Sequence, residues 1–560
     1  MTSLWRSKSW SKWLPAALVL WWCGAACQVA GSAPTDAAPT ADVCVYGSTS
    51  AGVIAAIECA QQGHSVVLLD CDGWIGGLTT SGLGATDVGN KDAIGGLARE
   101  FYRRVRRHYD RPQAWTAQRR DEFRGRGHDA GGDAAWTFEP SVAQAVFAEM
   151  LREQRVEVRT ARLDRGGGGV HKDGAVLRSL RCEDGDVVTA RVFLDCTYEG
   201  DLLAEAGCSF VVGRESNARY GETLNGVQTK NATKHQFTVR VDPYVVPGDP
   251  GSGLLPHVQP GGPGAEGDGD HRVQAYCFRI CATDVPANRL PWPKPDGYDA
   301  AEFEVLLRYF EAGSTMPPWH PVWMPNRKTD SNNNGAFSTD HLGANYDYAT
   351  ADYATRARIV AEHRRYQQGL LWTLAHEPRV PAKVRAEFER FGLARDEFRA
   401  TDNWPPLLYV REGRRLLGEQ VVTEDHCMGR AVAADPVGMG AYAMDSHNVQ
   451  RYVAADGSVR NEGDVQVRVP APYGISYRAL VPQREQASNL LVPVCVSASH
   501  IAYGSIRMEP VFMVLGQSAA IAADLALRGG IAVQDVDYAA LRARLLAAGQ
   551  VLAWPPGESR

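Results

Sequence analysis

Two sets of residues in this chain have types and spacing suited to chemistry. Near the C-terminal end, His500 closes an apolar run, and Arg507 and Glu509 flank Met508. An imidazole titrates near neutral pH and is a candidate base. A guanidinium pairs with a carboxylate or with charge that develops during a reaction. The ordinary alternatives are a hydrogen-bonded core histidine and an Arg–Glu pair capping the helix that starts near Pro510. Near the other end, Gly47-Ser48-Thr49-Ser50-Ala51-Gly52 lies between two apolar runs, and Asp70 follows 23 residues after the first glycine. A strand, a glycine turn, an Ala-rich helix and a second strand ending in an acid offer N–H groups to a phosphate and a carboxylate to a ribose. Gly47 permits the tight turn and Gly52 lets helix and strand approach. Thr49 stands where the middle glycine of G-x-G-x-x-G would be.

Further groups are weighed against plainer roles. Arg411, Arg414 and Arg415 beside Glu412 and Glu419 have i,i+3 and i,i+4 spacing, which predicts a solvated helix face and, as the alternative, an anion clamp. Asn332 to Asn334 with Asp340 and His341 suit either sugar hydroxyls or a polar turn. Trp292, Trp319, Trp323 and Trp404 read mainly as core. No C-x-x-C and no H-E-x-x-H occurs, so no metal site is expected.

The elements that must position these residues follow from pattern. Hydrophobic residues make up 44% and charged residues 22%, the profile of a large globular chain of 560 residues. With 59 basic and 65 acidic residues and no Lys/Arg-rich stripe, nucleic acid is not the expected partner. Residues 42–70 read as strand, turn, helix and strand. Residues 73–84 then carry five glycines and three hydroxyls, a loop able to wrap a flavin and its ribityl chain, which a nicotinamide unit does not need.

On these residues the stretch 46–87 resembles the secreted bacterial FAD-dependent oxidoreductase family, related to the fumarate-reductase and glutathione-reductase flavoproteins. The resemblance extends through Trp136-Thr137-Phe138-Glu139-Pro140, Asp195-Cys196-Thr197-Tyr198-Glu199-Gly200-Asp201, Ser331-Asn332-Asn333-Asn334-Gly335 and Tyr409-Val410-Arg411-Glu412. It ends with Tyr503-Gly504-Ser505-Ile506-Arg507-Met508-Glu509-Pro510. It implies FAD held by Gly47, Thr49, Ser50, Ala51, Gly52, Asp70, Gly76, Gly77 and Glu509, with Arg507 and His500 as catalytic candidates near the ring. Some relatives resemble the flavin subunit of heterodisulfide reductase, but the cysteine spacing for iron–sulfur clusters is absent here.

The expected fold is α/β: a discontinuous Rossmann-like FAD-binding domain over residues 42–205 and 485–530, with an inserted α+β substrate or cap domain over 206–484. A C-terminal helix and tail occupy 531–560. Within the insertion, 236–241 and 273–280 read as strands and 349–374 as a long helix. Residues 247–270, with five Pro and eight Gly, read as a surface insertion. Gly438-Met439-Gly440 imitates a second fingerprint but reads as a loop because Pro436 interrupts the strand. Without a second nucleotide unit, electrons are expected straight from a small polar substrate, with carbohydrate the favoured class. The alternatives are an electron-transfer flavoprotein serving a redox partner and a cell-surface binding protein without FAD. Residues 1–27 carry Arg6, Lys8 and Lys12 before an uncharged stretch, the layout of an export signal, with Cys27 a candidate lipid anchor and 28–41 a tether. The expectation is an exported protein, periplasmic, extracellular or lipid-anchored, with no membrane span.

Overall fold

Val43, Cys44, Val45 and Tyr46 are apolar on both faces of their strand, the signature of a strand buried in the middle of a parallel sheet. In the computed structural model, which describes residues 40–129 and 131–555, strand β1 (Ala41–Tyr46) takes that central place. The chain passes through helix α1 (Ser50–Gln61) to β2 (Val66–Asp70), which lies parallel on one side of β1 with Val43 opposite Val66. Outside β2 runs β3 (Glu157–Thr160). A hairpin of β4 (Val170–Asp173) and β5 (Val176–Arg181) then leads into β6 (Val187–Asp195). The first residues of β6 pair antiparallel with β5, and its remainder pairs parallel with the other side of β1, Val43 opposite Val192. Far along the chain, β7 (Leu490–Leu491) returns to pair with β6 in parallel. The parallel part of the sheet is thus ordered β3-β2-β1-β6-β7. The order reverses between β1 and β6, so a crevice opens beyond their carboxyl ends, where open α/β sheets bind ligands.

Two helices follow β7: α2 (His500–Ile506) and α3 (Glu509–Gly529). Residues 509–524 of α3 are buried throughout, so this apolar helix, long enough to span a membrane, is a core helix. It packs against α1 so closely that a Cβ on Gly516 would stand 2.4 Å from the Ala51 carbonyl oxygen.

A second, antiparallel sheet is built from Trp319–Met324, Lys328–Asn333, Ile280–Thr283, Gly392–Ala394 and Arg289–Leu290, in that spatial order. The long helix is Tyr353–His376, close to the range expected. Three expectations are corrected. Residues 236–241 form no strand: Gln236 bonds the Asn461 backbone through its amide, with Nε2 donating to the carbonyl oxygen at 3.0 Å, and Thr238 bonds Tyr309. Residues 273–280 make one bridge, Cys277 to Tyr409, before the ladder begins at Ile280. Pro436–Gly440 is a strand, paired with Tyr473–Ser476; proline is tolerated because it is the first residue, next to a register shift. Residues 1–39, where the expected export signal, Cys27 and nearly all of the expected tether fall, lie outside the described residues.

Candidate active site

The cradle is built from backbone. After β1 the chain turns at Gly47, whose φ of +100° and closeness to Thr197 (a Cβ would lie 2.8 Å from its backbone N) exclude any other residue. Thr49 caps α1: its hydroxyl donates to the Cys196 carbonyl at 2.7 Å and accepts from the Gly52 N–H at 3.3 Å. A Cβ on Gly52 would sit 1.9 Å from the Gly47 oxygen. The first-turn N–H groups of Ser50 and Ala51 have no intrahelical acceptor and face the crevice side with the positive end of the helix. Asp70, buried at the end of β2, accepts from the Ser48 hydroxyl at 2.8 Å, the Gly73 N–H at 3.1 Å and the Trp74 N–H at 3.2 Å, all on Oδ1. Gly76, at φ +98°, opens the next turn, and a Cβ on Gly77 would meet the Tyr198 hydroxyl at 2.3 Å. Glu509 closes the cradle from α3. It accepts from Ser50 at 2.6 Å, Thr79 at 2.8 Å and Tyr198 at 2.7 Å. Burial raises the Glu509 carboxyl, and these three hydroxyls oppose the rise.

Two residues before Glu509, Arg507 faces a separate, strongly polar pocket of about 180 Å³. Arg507 donates to the Tyr409 hydroxyl at 2.9 Å and to the Asp445 carbonyl at 2.9 Å. Arg126, Arg279, His320, Asn332, Tyr442 and His447 complete most of the wall. Arg279 is neutralised by a two-pronged pair with Asp330 at 2.7 and 2.9 Å. The Asp445 carboxyl is pushed up to about 6 by burial, with Arg507 opposing. His447 holds Asp340 through Nδ1 at 2.7 Å, and Asp340 is paired with Arg411 at 2.9 Å. Burial lowers the His447 imidazole, and the neighbouring Arg411 lowers it further, so it is neutral at pH 7. Burial alone would raise Asp340, but the Arg411 guanidinium holds it well below the carboxylate range.

Residues 42–545 match the family model described as FAD dependent oxidoreductase. The chain belongs to that family. No curated protein matches it. Among solved structures it is similar to AlpK, at 14% identity over 44% of this chain and 42% of that one, TM-score 0.22. It is also similar to the L-amino acid deaminase from Proteus vulgaris, at 16% over 33% and 54%, TM-score 0.22. A third is the thioredoxin reductase from Lactococcus lactis, at 17% over 28% and 34%, TM-score 0.16. The alignments to the first solved proteins span less than half of those chains.

FAD fits the residues present in this FAD-dependent oxidoreductase. The positions where a Cβ would collide, Gly47, Gly52, Gly76 and Gly77, lie along one path from β1 to the loop after β2. The bonds to Asp70 leave Oδ2 for a ribose hydroxyl, and the α1 N-terminus supplies unpaired N–H groups for a pyrophosphate.

The structure brings together Thr49, Ser50, Gly52, Gly77 and Glu509 of the sequence candidates, and sets Arg507 in the polar pocket. Arg507 and Glu509 make no pair with each other; they face the pocket and the cradle respectively. His500, at the start of α2, is not among the pocket-lining residues. It is buried, with Nδ1 on Glu412 at 2.8 Å and its backbone N–H on Glu215 at 3.0 Å. The arginine cluster is a correction. Arg411, Arg414 and Arg415 are all buried, and no helix runs through them. Arg414 pairs with Asp201 at 2.9 Å; Arg415 pairs with Glu215 and Glu412, each at 2.8 Å. Their spacing imitated a solvated face because their carboxylate partners, Glu412 apart, come from distant segments. Asp340 and His341 are likewise buried, neither a sugar-facing pair nor a surface turn. Sequence reasoning missed His447, and with it Asp87, Arg126, Arg279, His320, Tyr442 and Asp445 of the same wall, which come from separate stretches of the chain.

Proposed function

We propose that this chain oxidises a small, hydroxyl-rich substrate directly in the polar pocket, with FAD in the cradle as electron acceptor. The observation that carries the reading is the segment Arg507-Met508-Glu509, which lines the pocket on one side and closes the cradle on the other. Arg507, Asn332, Tyr409 and Tyr442 offer donors and acceptors spaced for several hydroxyls, and the volume suits a molecule of monosaccharide size. Carbohydrate is therefore the favoured class. Export through residues 1–27 is the matching proposal for location, outside the cytoplasm.

The test is anaerobic mixing of the purified flavoprotein with D-glucose, D-galactose, D-xylose and D-glucuronate, reading loss of visible flavin absorbance. Bleaching by one of them within seconds to minutes is expected. Reduction by NADH or a protein donor alone would replace this reading with electron transfer. A protein that is colourless and takes up no added FAD would replace it with a binding role.

A further inference from the structure

From the pocket geometry we infer that His447 is the catalytic base of this oxidation, set in its working tautomer by Asp340, with Arg411 as a positioning residue. The inference rests on the proposal that a hydroxyl-bearing substrate is oxidised here. Taking two electrons from an H–C–O–H unit leaves a carbonyl and must place two hydrogens. FAD, when bound, supplies acceptance of the hydride from carbon. The hydroxyl proton has to go to a group of the protein as the C–O bond becomes double.

Among the groups facing the pocket, His447 is the one arranged to receive it. Its Nδ1 lies 2.7 Å from Asp340 Oδ2. A carboxylate only accepts hydrogen bonds, so Nδ1 carries the ring hydrogen and Nε2 carries the lone pair. Nε2 makes no hydrogen bond among the described residues, and the ring lines the pocket. The other imidazole of the wall, His320, is exposed and has no carboxylate orienting it. Asp445 is engaged by Arg507, 3.7 Å away. Tyr409 already accepts from Arg507. Behind the pair, Arg411 is fully buried, its guanidinium 2.9 Å from Asp340 Oδ1 and also bonded to the Ala275 carbonyl and the Cys277 sulfur. It fixes the carboxylate in place and keeps it charged, so the chain Arg411–Asp340–His447 delivers one oriented lone pair.

The test combines a reading that needs no substrate with one that does. Histidine-labelled holoprotein at pH 7, examined by long-range ¹H–¹⁵N spectroscopy with His447→Gln for assignment, is expected to show Nδ1 protonated and Nε2 bare. Asp340→Asn, whose amide can donate, is expected to move the ring hydrogen to Nε2. A wild-type ring protonated at Nε2, or at both nitrogens, overturns the proposal whatever the substrate is. With any sugar that bleaches the wild type, His447→Gln is expected to keep its flavin and its KM while slowing flavin reduction by about 10²-fold or more. An unchanged rate overturns the base assignment even if the tautomer is right. If no sugar bleaches the wild type, the carbohydrate reading fails and the base assignment falls with it, while the tautomer still decides separately whether Asp340 orients His447.

Discussion

The cradle and the polar pocket meet at three consecutive residues, yet different forces hold them. In the cradle, glycines are packed at distances that admit no side chain: Gly52 against the Gly47 oxygen, Gly516 against the Ala51 backbone, and Gly77 against the Tyr198 hydroxyl. In the pocket and the layer behind it, charges are buried in pairs: Arg411 with Asp340, Arg415 with Glu215 and Glu412, Arg279 with Asp330. The first arrangement gives shape through contacts that carry no charge, and fails on gaining one methyl group. The second gives charge and orientation, and it responds to protons, since each buried ion or neutral imidazole depends on its partners staying in one state. One region is shaped for a dinucleotide; the other holds charges and a neutral imidazole in fixed states beside it.

The most severe way to break the cradle is Gly52→Ala. Its added carbon would lie 1.9 Å from a main-chain oxygen, which cannot move without opening the β1–α1 turn. Loss of bound flavin and a stability loss of about 4 kcal/mol or more are expected, read by visible absorbance and denaturant titration. Gly63→Ala is the control: nothing lies near its Cβ, so only the left-handed φ of +87° costs anything, about 1 kcal/mol. A Gly52→Ala protein with full flavin content would remove the physical basis of the contrast.

The second region is sharpened by acid. Behind the pocket, His257, His341 and His363 pack together with Tyr366; His341 Nε2 lies 3.3 Å from His257 Nδ1, and the rings of His341 and His363 are 5.0 Å apart. Burial lowers all three imidazoles, His257 to about 3 and His363 to about 4. Unfolded histidine titrates near 6.5. Between that value and the folded one, the unfolded chain binds protons that the folded chain refuses, so stability falls as pH falls. From pH 7 to 5 this costs about 2 kcal/mol for His363 alone. Asp445, raised to about 6, works in the opposite sense, since folded protein binds its proton first. The comparison with His363→Gln isolates the histidine: the variant is expected to lose about 2 kcal/mol less than the wild type over that interval. An equal loss would mean the cluster is not kept neutral.

The two regions also differ in how much of them the sequence discloses. The cradle lies within residues 42–84, apart from its closing acid at Glu509, and its glycines and acid are local signals that follow from strand and helix periods. The pocket draws Asp87, Arg126, Arg279, Asn332, Tyr409, His447 and Arg507 from separate stretches, and no local pattern marks a residue whose partner is 39 to 107 positions away. His447 sits in a polar run that reads as loop; the arginines 411, 414 and 415 have the spacing of a surface helix, and only Glu412 is nearby in sequence. Pro436–Gly440 shows the converse error: proline argued against a strand, but at the first position it costs the ladder nothing. Local order was readable, whereas long-range charge pairing was not.

The smallest expected effect concerns Thr49, the departure from three-glycine spacing. If the middle position served only close approach of a pyrophosphate, glycine there would improve binding and threonine would be a defect. The structure gives threonine two tasks instead, a 2.7 Å bond to the Cys196 carbonyl that ties α1 to the end of β6 and a 3.3 Å cap on the Gly52 N–H. Its backbone is extended, at φ −60° and ψ 174°, so glycine brings no conformational relief. Thr49→Gly is therefore expected to retain flavin and to lose about 0.5–1 kcal/mol of stability, the cap and tie together. Thr49→Ser, which keeps the hydroxyl, is expected to lose less. Tighter FAD binding in the glycine variant, measured by titrating apoprotein, would show that close approach of the ligand limits this position and that threonine is a cost to binding, kept for the junction of α1 with β6.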